Sequence, residues 1–247
     1  MPAMMTPLIG RIKAVLTGHA IPYTRPGSRS AIAKSVRQGV VPVAMLGLDG
    51  DEQGDRRIHG GPDKAVHLYA FEHYARWIKE LGDMPILDTP GAFGENLSTF
   101  GMTEVQICLG DQVRIGGVLL QVSQGRQPCW KLNDRFGLPD MARRLQQNLR
   151  TGWYCRVIAP GNLAAEDAIE LVARPYPGWP LHRLGELLYH GGADERTLRE
   201  ALALPLVPSW RRTIENRLAS GKTEDWTARL AGPAPSAHVS AITPIRV

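Results

Sequence analysis

The spacing of apolar and polar residues divides the chain into a long strand-rich part and a shorter helical part. From residue 8 to about 171, the recurring signal is a short alternating or apolar run ended by glycine. Residues 8–16 alternate Ile12, Ala14 and Leu16 against polar or small neighbours, residues 40–48 are mostly apolar, and residues 65–69 form a short strand ahead of a helix. That helix, FEHYARWIKELG, places Phe71, Tyr74, Trp77, Ile78 and Leu81 on one face and stops at Gly82. In DQVRIGGVLLQV, Val113 and Ile115 alternate, Gly116-Gly117 supplies the positive φ angles of a two-residue turn, and Val118, Leu120 and Val122 continue one face. Val105, Ile107 and Leu109 just before it extend this to an antiparallel meander, and residues 153–158 and 169–172 add two strands. Many strands with few helices between them predict a β-rich (α+β) fold, a barrel or sandwich and not a doubly wound sheet.

The pattern changes after RPYPGWP, residues 174–180, where three prolines in seven residues mark a linker. LHRLGELLYH then reads as a helix ending at Gly191-Gly192. Asp194 caps a second helix carrying Leu198, Ala201 and Leu202, and Ser209 caps a third that ends at Gly221. A three-helix unit of this size is too small to stand alone and is expected to dock on the β domain. The expected organisation is a β-barrel domain over residues 1–175, the three-helix unit over 176–225 and a weakly ordered tail, rich in Ala, Pro and Ser, over 226–247.

Composition adds limits. With 247 residues and 43% hydrophobic content, the chain can bury a real core. The 29 Lys+Arg exceed the 24 Asp+Glu by five, which suits a phosphate-bearing ligand, a nucleic acid or simple solubility. Cys108, Cys129 and Cys155 make no closed disulfide framework and no CxxC pair, so free thiols in a reducing, cytoplasmic setting are expected, without a four-cysteine cluster. No stretch approaches the ~20 apolar residues of a membrane span.

Four segments carry candidate chemistry. In GRQPCWKL, Pro128 suits the first position of a helix, which places Cys129 in a first turn where unpaired N–H groups favour an anion; Arg126 and Lys131 add positive charge. Together these would push the thiol toward thiolate, both a nucleophile and a soft metal ligand, although packing alone also fits a lone cysteine. Cys108 and Cys155, inside apolar patterns, read as packing. In GDEQGDRRIHGGPDKAVHLY, Asp55, Arg56, His59, Asp63 and Lys64 crowd around Gly60-Gly61-Pro62. His59 held by Asp63 is a candidate acid–base pair, and an exposed polar turn is the alternative. His67 and His73 read as core-edge or surface residues. GAFGENLSTFG offers the Asn96 amide, and in AIAKSV the alternation puts Lys34 and Ile32 on one face.

Taken in order, AIAKSV, GDEQGDRRIHGGPDKAVHLY, FGENLS and VSQGRQPCWKL resemble the MOSC family, named for the C-terminal domain of molybdenum cofactor sulfurases. HGGPDKAV, the helix EHYARW and the following three helices resemble its YiiM-type subgroup. The ordered set is specific where each motif alone is not, and it covers residues 7–221. The resemblance implies a barrel-like domain holding a pyranopterin molybdenum cofactor with Cys129 as the molybdenum ligand. It implies reduction of N-hydroxylated compounds, including 6-N-hydroxylaminopurine, and the family carries an association with pyridoxal phosphate binding. Lys34, Arg56, Lys64, Asn96, Arg126 and Gln127 would then bind the cofactor, and His59 with Asp63 would deliver protons.

No flavin, dinucleotide or cluster motif is visible, so an external flavoprotein or iron–sulfur electron donor is the expected partner. The arginine-bearing helices would close over the cleft, bind that donor or build a homodimer. Three other classes fit parts of the pattern: a cofactor or sulfur carrier without turnover, a DNA-binding helix-turn-helix, and a cysteine hydrolase using Cys129 and His59. The nucleic-acid reading is disfavoured because Trp210, Ile214 and Leu218 read as packing positions, and no membrane partner is expected.

Overall fold

The computed structural model describes residues 7–54, 60–192 and 194–233. Its strands are β1 (Leu8–Thr17), β2 (Ile21–Pro22), β3 (Arg29–Ser30), β4 (Ser35–Arg37), β5 (Val41–Ala44), β6 (Gly47–Leu48) and β7 (Val66–Ala70). They continue with β8 (Leu97–Phe100), β9 (Gln112–Ile115), β10 (Val118–Gly125), β11 (Trp153–Ala159), β12 (Gly161–Leu163) and β13 (Ala168–Ala173). A barrel closes in the order β13-β9-β10-β11-β7-β8-β1, with β13 pairing back to β1, and β4 flanks β1. Closure removes the exposed edges an open sheet would present. Its pairings are antiparallel except β7 with β8, which run parallel.

The parallel pair requires a crossover, and α1 (Glu72–Leu81) supplies it. Its apolar stripe buries Tyr74 and Trp77, while Ile78 sits at the margin, 38% exposed. His73 takes an inward place on this helix, its Nε2 2.7 Å from Glu104 Oε2, so both His67 and His73 are buried, unlike the core-edge or surface setting their pattern predicts.

At the β9–β10 hairpin, Ile115 pairs with Val118 across a two-residue turn. Only Gly116 has positive φ, at 54°, the arrangement of a type II′ turn. The run 40–48 is a hairpin of β5 and β6, not one strand, because the chain turns at Met45-Leu46 between the paired Ala44 and Gly47. Val105, Ile107 and Leu109 form no meander strand. Ile107 and Leu109 are buried, but their backbone bonds go to the linker and the residue that follows it: Leu109 N–H donates to Trp179 O at 3.1 Å, and Leu181 N–H to Ile107 O at 2.9 Å.

The linker leads into α4 (Leu181–Tyr189), α5 (Glu195–Leu202) and α6 (Pro208–Ser220), preceded in the chain by α2 (Lys131–Phe136) and α3 (Met141–Asn148). Asp194 caps α5, its carboxylate accepting Thr197 N–H at 2.7 Å. Val207, not Ser209, is the N-cap residue of α6, because Pro208 occupies the first helical position, where its missing N–H costs nothing. Leu184, Leu188, Leu198, Trp210 and Ile214 join the same buried cluster as the barrel's Ile12, Val66, Leu120 and Trp153. The three-helix unit is therefore docked on the barrel through a shared core.

A second core, around Tyr69, Trp77, Phe93, Leu132, Phe136 and Leu145, fills the space between α1, α2, α3 and the barrel wall. Leu230 joins it from α7 (Thr227–Ala231). Part of the segment expected to be weakly ordered is thus a docked helix. The reason is specific bonding: Asn133 Nδ2 donates to Leu230 O at 2.8 Å, and Trp130 N–H donates to Arg229 O at 3.0 Å. Among the described residues, no helix is long and apolar enough to cross a membrane.

Candidate functional site

After β10, Arg126 N–H donates to Gly152 O at 2.9 Å, which extends the strand pairing one step before the chain turns away as Gln127-Pro128-Cys129. The helix that follows starts at Lys131, so Cys129 stands ahead of it and not in its first turn. Its surroundings are set by side chains brought from other elements, not by the six-residue helix.

Cys129 is 8% exposed and lies on the wall of two cavities. The smaller, called the inner cavity, has about 90 Å³ and is also lined by Lys34, Asp51, His67, Asn96, Arg126 and Lys131. The larger, called the outer cavity, has about 370 Å³ and is lined by Gln124, Gln127, Trp130, Ala228 and Arg229. Lys64 and Tyr154 border both. The outer volume falls in the range of small-molecule and cofactor sites.

Cations dominate this wall. Arg126 is buried and donates from Nη1 to Phe93 O at 2.8 Å. Among the described residues, neither Arg126 nor Arg229 has a carboxylate partner. Burial lowers the Lys64 ammonium pKa, while Cys129 and then Asp63 pull it back up. Tyr154 is pushed up by burial, against the hydrogen-bonded Arg126, and so stays a neutral hydroxyl.

The inner cavity has a built polar floor. Asp51 accepts from Gly18 N–H at 2.8 Å, from the Lys34 ammonium and from Asn96 Nδ2 at 2.8 Å. Asn96 Oδ1 accepts His67 N–H at 3.1 Å, so one amide ties β7 to the Asp51 loop. Both Lys34 and Asp51 side chains are almost fully buried. Desolvation lowers the Lys34 pKa and Asp51 opposes it. Lys34 is thus paired with Asp51 on the wall of the inner cavity. His67 Nδ1 donates to Gly94 O at 3.2 Å, and burial, followed by Arg126, holds its pKa well below the ordinary histidine value.

The expected site residues therefore separate. Lys34, Lys64, Asn96, Arg126 and Cys129 converge on the inner cavity, and Gln127 lines the outer one. Asp63 lies on neither wall: its carboxylate accepts from Arg156 Nε at 2.8 Å, and its carbonyl accepts the Ser123 hydroxyl at 2.6 Å. The proposed support of His59 by Asp63 meets this competing partner, while His59 and Arg56 lie outside the described residues. Asp51, His67, Tyr154 and Arg229 were not anticipated. The spacing of Trp226 and Leu230 ahead of Gly232 in WTARLAG was the available signal for the helix that carries Arg229.

Among the described residues, no group of three or more His, Cys, Asp or Glu could hold a metal. A metal on Cys129 would need its other donors from the ligand itself, as a pterin dithiolene provides, and the cationic wall suits that anionic group. The residues present fit a molybdenum cofactor.

A closed barrel with one cysteine on a cation-lined cavity, followed by a docked three-helix unit, defines a MOSC-domain protein with a helical extension. The MOSC domain model matches residues 55–170, and the YiiM-like, 3-alpha helix domain model matches residues 179–221. The chain is 42% identical over 219 residues to Protein YiiM of Escherichia coli (strain K12), covering 88% of this chain and 97% of that one. It belongs to the YiiM-like family of MOSC-domain proteins. A crystal structure of YiiM from Escherichia coli superposes with a TM-score of 0.74 and 35% identity, over 90% of this chain and 99% of that one. A Gibberella moniliformis (strain M3125 / FGSC 7600) protein named "Reductase" is 37% identical over 212 residues, 85% of this chain and 36% of that longer one.

Proposed function

We propose that this protein is a molybdenum-cofactor-dependent oxidoreductase that reduces N-hydroxylated compounds, such as 6-N-hydroxylaminopurine, to the corresponding amines. The observation that carries this reading is the Cys129 thiol on the shared wall of two cation-lined cavities. The relative named "Reductase" supports the reaction class. When bound, the cofactor supplies the two-electron chemistry that breaks the N–O bond.

The chain's own residues bind, screen and protonate. Cys129 offers the soft sulfur donor, and Arg126 with Arg229 offsets the negative charge of the bound group. Converting N–OH to N–H plus water consumes two electrons and two protons. Lys64 borders both cavities beside Cys129, and its lowered pKa suits it to release a proton from Nζ toward the departing hydroxyl. Tyr154, a neutral donor fixed by Arg126, can orient the substrate nitrogen. The Trp130 ring gives the outer cavity a flat wall for a heteroaromatic base. The electrons are assigned to an external flavoprotein or iron–sulfur donor.

The test uses full-length protein expressed in a host that makes molybdenum cofactor, supplied with dithionite-reduced methyl viologen. Conversion of 6-N-hydroxylaminopurine to adenine is expected. Bound molybdenum and pterin without turnover under several donors would instead establish a carrier.

A further inference from the structure

The outer cavity has an unusual charge balance. Its charged lining residues are Lys64 and Arg229, both cationic, and no carboxylate stands on its wall among the described residues. Arg229 comes from α7, outside both matched domains. Its guanidinium donates from Nη1 to Pro128 O and from Nη2 to Gln146 Oε1 at 2.6 Å, and lies over the Trp226 ring at 4.8 Å. These partners hold the group without neutralising it. Arg229 Nε is buried and has no hydrogen-bond partner among the described residues. Sequestering a guanidinium with no counter-charge is costly, and an anion in the cavity would offset that cost.

We propose that the outer cavity contains a phosphate-monoester subsite anchored by Arg229, so that the C-terminal helix is part of the binding site and not only a packing element. Arginine suits this ligand because its planar fork matches phosphate oxygens. Lys64 adds a second positive charge from the segment between β6 and β7. The phosphate has two sources, the cofactor's own phosphate or a nucleotide form of the substrate. The subsite deepens the proposed function by naming one end of the same cavity, yet phosphate binding by metal-free protein does not require Cys129 to hold molybdenum.

The experiment titrates inorganic phosphate into metal-free full-length protein by calorimetry, comparing the wild type with Arg229→Gln and Arg229→Lys. Binding by the wild type is expected, weakened at least about tenfold in Arg229→Gln and by a smaller factor in Arg229→Lys, which keeps the positive charge but loses the planar fork. Three results would overturn the proposal: no binding by the wild type, wild-type affinity in Arg229→Gln, or an equal loss in both variants, which would make Arg229 a docking residue only. Two further arms assign the source. Pterin lost from Arg229→Gln in a cofactor-competent host supports the cofactor's phosphate. Retained pterin, with adenosine 5′-monophosphate bound more tightly than inorganic phosphate by the wild type and not by Arg229→Gln, supports the nucleotide.

Discussion

Cys129 is bracketed by backbone contacts to a single distant residue: Arg229 reaches Pro128 O on one side and accepts Trp130 N–H on the other. The thiol's position is therefore set by a residue 100 positions away in the chain. On the inner side, Asp51 is the residue on which the cavity floor depends, since Lys34, Gly18 and Asn96 all bond to it. Asp51→Ala would leave the Lys34 ammonium buried without its partner. The expected cost is about 3–5 kcal/mol in urea unfolding, and Lys34→Met in the same background should recover much of it. Equal stability of Asp51→Ala and wild type would show that the pair is not buried in solution. The cations of the motifs were legible in the sequence. Which of them was already taken was not, because the Lys34–Asp51 and Asp63–Arg156 pairs join segments 17 and 93 residues apart.

At the level of elements, periodicity served where a segment's apolar pattern reflects its own pairing. Helix α1 and the β9–β10 hairpin were legible for that reason. The alternation of Ile107 and Leu109 misled because their burial comes from covering by the 174–180 linker and not from a sheet neighbour. Helix α7 was obscured by the Ala-, Pro- and Ser-rich composition around it. Strand β7 carries the element's own pH sensitivity through His67. Its folded pKa lies well below the ordinary value, so the native state keeps the ring neutral while the unfolded chain takes up a proton below about pH 6.5. The unfolded state then binds more protons, and stability falls as pH drops through that value. The urea midpoint should decline from pH 7.5 to 5.5, and His67→Gln should flatten that slope. An unchanged slope would remove His67 as its source.

For the whole molecule, the shared core makes the barrel and the three-helix unit one cooperative body. Trp210 from α6 is fully buried in the cluster that includes barrel residues, and its indole lies beside Gly125 near the end of β10. Trp210→Ala should cost about 3–5 kcal/mol and move a single unfolding transition. A separate early transition from the helices, with the barrel unaffected, would contradict the shared core. None of the cavity-lining residues comes from α4, α5 or α6; the wall is completed by α7 beyond them. The three-helix unit supports the site from behind, through the core and through the Tyr189 ring 5.7 Å from the Arg229 guanidinium.

The central claim is that Cys129 is the protein ligand of a molybdenum cofactor. It is tested most directly by measuring molybdenum and pterin in wild-type protein and in Cys129→Ser, both expressed in a host competent for cofactor synthesis, alongside thermal unfolding of each. The account predicts molybdenum and pterin in the wild type, loss of molybdenum from Cys129→Ser, and a melting temperature within a few degrees of wild type. Full molybdenum loading of folded Cys129→Ser would contradict it.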